Sequence, residues 1–141
     1  MTDIDPDTEP SLSEHEATQK VLRTDLAVGI GGAGLGYAEA GSALFDVLPV
    51  VVGVTLLTAV AVAVVEHDAV PGVYPEVAAL ASFLVLAGAV AGLVTVSPAP
   101  MTVDLAGALS GFGIGVLANR LLYGVVFAVP AYRLTRVREQ S

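Results

Sequence analysis

The chain has no cysteine and no tryptophan, a single lysine (Lys20) and two histidines. Without cysteine it can form no disulfide, offer no thiolate nucleophile and hold no metal through sulfur, and it carries no mark of its redox compartment. Basic charge is scarce too, with six Lys and Arg against fourteen Asp and Glu. Nucleic acid needs a basic surface, so no nucleic-acid partner is expected. His15 and His67 both lie outside the long apolar stretches, which leaves no base for a hydroxyl inside one of them. The residues before Lys20 are acidic and no short apolar segment follows a basic start, so no secretory signal is expected.

What the chain has in excess is apolar length. Hydrophobic residues make up 55% of it and the mean hydropathy is +0.77. Val47 to Val65 (VLPVVVGVTLLTAVAVAVV) runs without a charge. About twenty such residues, rising about 1.5 Å each, cross the roughly 30 Å hydrocarbon layer of a bilayer. Similar stretches cover about 77–96 and 104–130, and a weaker one, with six glycines and Glu39, covers 26–44. Pro49 suits a first helical turn, as do Pro75 and Glu76, and Ser97 to Met101 (SPAPM) interrupts the chain.

The class expected is therefore an all-α integral membrane four-helix bundle with a disordered acidic N-terminal tail. Residues 1–19 carry six acids and two prolines and bury too little to offset the entropy of ordering, although Ser13 and Glu16 stand at capping-box spacing and favour a helical end to the tail. The membrane domain is placed at 20–132 and a short basic tail with Arg133, Arg136 and Arg138 at 133–141. Basic flanks collect on the cytoplasmic side, so four crossings put both termini there and leave the two external connections without a basic residue. The very short connection at Phe45 and Asp46 then demands a tight hairpin or a re-entrant first segment.

Two sets of residues stand out. Gly32 and Gly36, Gly88 and Gly92, and Gly107, Gly111 and Gly115 form four-residue stripes, the spacing that lets helices approach closely where lipid supplies no hydrophobic drive. They pack the helices of one chain together or form an oligomeric interface. Glu39 and Arg120 are ionisable residues in the hydrocarbon, where each costs about 2.5–3.5 kcal/mol on the gentlest scale. Glu39 lies thirteen residues past Leu26 and Arg120 ten before Pro130. That places them about 20 and 15 Å from the same end, close enough to expect an intramembrane ion pair. The competing reading has Arg120 snorkelling to the headgroups and Glu39 neutral or at the other interface.

Other matches fail on context. Gly29, Gly31 and Gly34 fit GxGxxG without a preceding strand. Ala108 to Gly111 (ALSG) lacks the first glycine of the rhomboid-protease GxSG, and Glu66-His67-Asp68 reads as a solvated turn. No catalytic residue, metal site or cofactor is expected.

The acid-rich, lysine-poor composition resembles that of small multi-pass membrane proteins of salt-loving archaea, in which high ionic strength screens acidic tails. The segment Glu39-Ala-Gly41-Ser42 and the helix count are similar to the first helix and architecture of the small multidrug resistance transporters, which implies a proton-coupling role for Glu39. The chain departs from that pattern in spacing, in its lack of tryptophan and in carrying Arg120. The function expected is a non-enzymatic accessory or structural subunit, with the lipid bilayer and a homo-oligomer or other membrane subunits as partners. The alternative is a small proton-coupled transporter or channel subunit that uses Glu39.

Overall fold

The computed structural model describes residues 13–67, 69 and 72–139, and they are helical almost throughout. Ser13 accepts from the Glu16 backbone N–H while the Glu16 carboxylate accepts from the Ser13 N–H, and this capping box opens α1 (Glu14–Ala40). A 3-10 segment (Gly41–Val47) leads to α2 (Leu48–Glu66), followed by α3 (Pro75–Val96), α4 (Met101–Leu122) and α5 (Ala131–Glu139). Three helical stretches, Glu14–Glu66, Glu76–Val96 and Met101–Leu122, are long and apolar enough to cross a membrane.

The first of these folds back on itself. Gly29 lies against Leu117 and Gly113, and Gly36 against Ser110 and Ala106, so α1 descends along α4. Val47 and Val51 flank Gly107, and Thr55 and Thr58 flank Gly115, so α2 ascends along it. The reversal occurs at Gly41, whose φ of 54° is open to glycine at no steric cost, and in the 3-10 turns that follow. This is the tight hairpin that four helices require. It also ends the first helix at Ala40 instead of Leu44.

α4 is the hub. Successive helix positions turn by about 100°, so Gly111 and Gly113 face nearly opposite sides. Gly107, Gly111 and Gly115 admit α2 on one side, and Gly113 meets Gly29, Gly32 and Ala33 of α1 on the other. Thr55 donates to the Gly111 carbonyl (3.1 Å) and Asn119 to the Ala59 carbonyl (3.4 Å), adding polar ties between α2 and α4. α3 leans mainly on α2, with Leu86, Val90 and Leu93 against the cluster of Val47, Val50, Val51 and Val54.

The expected boundaries change at two places. Helix four stops at Leu122, not near Pro130. Gly124 is the poorest helix former after proline, and the Val126 and Phe127 N–H groups take over the Leu121 and Leu122 carbonyls. Residues 14–19, assigned to a disordered tail, form the first turns of α1; residues 1–12 lie outside the described residues. The basic tail is helix α5, whose Leu134 and Val137 pack on Ala17 and Val21 of α1.

The stripes divide in the same way. Those of α1 and α4 make close contacts within the chain, whereas a Cβ at Gly88 or Gly92 would meet nothing within 4 Å. None of the α3 positions whose burial is described is buried.

Candidate functional site: a buried charge cluster

Arg120 sits in the last turn of α4 and is the largest of the fully buried side chains, at 1% exposed. A guanidinium held there must find anions, because leaving it unpaired costs several kcal/mol. Asp25 of α1 and Glu66, the last residue of α2, supply them. Arg120 Nε lies 2.7 Å from Asp25 Oδ2, and Nη2 donates to Glu66 Oε1. Nη1 donates to the Tyr123 carbonyl at 3.3 Å, which ties the end of α4 to the same group.

Arg133, on α5, completes the set. Its Nη2 is 3.7 Å from Asp25 Oδ1 and its Nε 3.7 Å from Glu66 Oε1. Two arginines and two carboxylates thus balance to zero, and they join α1, α2, α4 and α5 at one end of the bundle. Beside them, the Tyr123 ring packs edge-on against His67, with centroids 4.5 Å apart.

The structure corrects the expected Glu39–Arg120 pair. Glu39 is exposed on α1, fourteen residues beyond Asp25 on the same helix, or about 21 Å along the axis. The error lay in the length given to helix four. Counting Arg120 back from Pro130 sank it into the hydrocarbon, whereas a helix ending at Leu122 places it at the level of Asp25 and Glu66. Substituting Gln at Glu39 and Arg120 together should therefore give additive losses of stability within about 0.5 kcal/mol, as for groups that do not touch. Denaturant titration of the purified protein in detergent measures this; coupling above that level would restore the pair.

Sequence reasoning did not single out Asp25, Glu66 or Arg133 as partners of Arg120. Asp25 immediately precedes Leu26 and Glu66 immediately follows Val65. Once the two helices are antiparallel, these flanking acids share an end, and that end is where α4 finishes.

A second buried acid lies at the opposite end. Asp104, in the first turn of α4, is fully buried and accepts from Ser97 Oγ at 2.7 Å, which fixes the α3–α4 connection. Among the described residues no group of three or more His, Asp or Glu stands where it could hold a metal ion. The charge cluster pairs each carboxylate with an arginine, an arrangement that ties four helices together. Comparison with known protein families, with curated proteins and with solved structures finds no match to this chain.

Proposed function

We propose that the chain is a small multi-pass membrane protein, non-enzymatic, that serves as an accessory or structural subunit with both termini on the cytoplasmic side. The arrangement of charge supports this reading. Lys20, Arg23, Arg120, Arg133, Arg136 and Arg138 are all the basic residues there are, and all belong to the end of the bundle that carries α5. The connections at the other end, Gly41–Val47 and Ser97–Pro100, contain none. Basic flanks of membrane spans accumulate on the cytoplasmic side.

Apart from Asp104 at the opposite end, the buried charges are gathered and paired at that same end instead of being spaced along a path through the bundle. This favours a scaffold over a carrier, and Glu39, exposed and outside the cluster, lends no support to transport coupled through it. Lipid is the partner this reading requires, with a second copy or another membrane subunit beside α3 as a further one.

Single cysteines at Ser11, Ala69, Ala99 and Ser141 report topology without background, because the chain has no native thiol. The expected result in intact cells is labelling at 99 by an impermeant reagent and protection at the other three. Labelling at 11 with protection at 69 and 141 would mean three crossings and overturn the proposal. The test is a real one: the apolar part of α1, Leu26 to Ala40, is only fifteen residues long, about 22 Å.

A further inference from the structure

Residues of all five helices line a partly open cavity of about 340 Å³, and Asp25, Glu66 and Arg133 of the charge cluster form part of its wall. Along α2 it runs from Thr58 to Glu66, a depth of about 12 Å. Its inner walls are mostly apolar, with Val62, Ala79, Phe83 and Leu86 among them, and at the α5 end Asp25 and Glu66 border it together with Tyr132, Arg133 and Arg136. A partly open cavity of this size, mostly apolar in depth and charged at one end, has the form of a site for a small amphipathic molecule.

The charge balance identifies the head such a molecule would carry. Arg120 and Arg133 match Asp25 and Glu66. Arg136 is left over: among the described residues it has no carboxylate partner, only the Tyr132 ring, 6.0 Å from its guanidinium carbon. The cavity is therefore apolar in depth and carries a surplus cation at its α5 end. A second groove of about 380 Å³ between α2 and α3, lined by Leu57, Val60, Val77 and Val85, has no charged wall and offers a tail nothing to anchor its head.

We propose that the cavity is a binding site for a phosphate-bearing amphipath of the anionic phospholipid class, with the head on Arg136 and one hydrocarbon tail between α2 and α3. Guanidinium is the side chain best suited to phosphate, and basic pockets between membrane helices on the cytoplasmic side have the geometry that anionic headgroups occupy. The inference rests on the membrane reading above.

The test is native mass spectrometry of the full chain in neutral detergent, titrated separately with phosphatidylglycerol, phosphatidylcholine and glycerol 3-phosphate. The expected result is one phosphatidylglycerol retained per chain, about fivefold more strongly than phosphatidylcholine, and no retention of glycerol 3-phosphate. R136Q, at a partly exposed position, should abolish the preference and R136K should keep it, while A79F should fill the cavity and weaken retention of both lipids. Equal retention of the two lipids would overturn the site. So would an R138Q loss as large as that of R136Q, which would indicate diffuse surface charge, or glycerol 3-phosphate bound as well as the lipid, which would leave the cavity without a role. Resistance of the protein to alkaline carbonate extraction from membranes is measured in parallel. Extractable protein would defeat the membrane reading, whereas membrane-retained protein with no lipid preference would defeat only the site.

Discussion

Replacing Arg120 with leucine is expected to destabilise the protein by about 3–5 kcal/mol, the cost of leaving buried opposite charges without their partner. Two carboxylates lose their main cation at once, since Asp25 and Glu66 both face this guanidinium and Arg133 stands farther off, at 3.7 Å from each. R120K should recover only part of the loss. An ammonium is a point charge and cannot reproduce a fork that reaches Asp25, Glu66 and the Tyr123 carbonyl together. Adding D25N and E66Q to R120L should restore much of the stability, because the amides remove the stranded charges. Unfolding of each variant in detergent gives the ranking directly. If R120L were as stable as the parent, the cluster would have no structural role.

The second large effect is expected at the α1–α4 crossing. A methyl group at Gly113 would run into the backbone of Ala33 and Gly29, neither of which can turn aside as a side chain can. G113A should therefore push α1 from α4 and cost about 3 kcal/mol, the upper part of the range for overpacking. G111A should be comparable on the α2 side, where the added carbon would approach the Val51 carbonyl oxygen to 2.5 Å. G88A and G92A, by contrast, meet open space and should leave the isolated chain unharmed or stabilise it by up to about 1 kcal/mol through helix propensity. Thermal unfolding of these four variants separates the glycines that the fold requires from those it does not. Loss of stability at Gly88 in the purified chain would mean that α3 is held more closely than its exposed face indicates.

These contrasts show what was legible in the sequence. The four long helices and the capping box at Ser13 followed from composition, periodicity and local chemistry, because each depends on near neighbours, whereas two of the helix ends and the short α5 did not. The stripes were visible as spacing, but spacing does not say what lies opposite. Gly107 and Gly88 look alike in one dimension, and only the assembled bundle places Val47 against the first and nothing against the second. Gly113 escaped notice because it stands off the four-residue stripe, on the face that receives α1. The charge cluster was missed for a related reason. Arg120 was recognised as a residue that must pair, yet its partner depended on where helix four ends, and the valines and phenylalanine after Gly124 read equally well as more helix.

The position of α4 bears on how the protein is made. Gly32 must wait for Gly113, eighty-one residues later in the chain, before its face is covered. At a synthesis rate of about 5–20 residues per second, that interval is about 4–16 s. During it the α1–α2 hairpin has no hub to close on, and Asp25 and Glu66 lack the guanidinium that pairs them. The emergence of α4 with Gly113 and Arg120 ends both conditions at once, so closure of α1 and α2 waits on a helix made well after them. A chain arrested before residue 113 should accordingly leave its α1–α2 hairpin open to proteolysis.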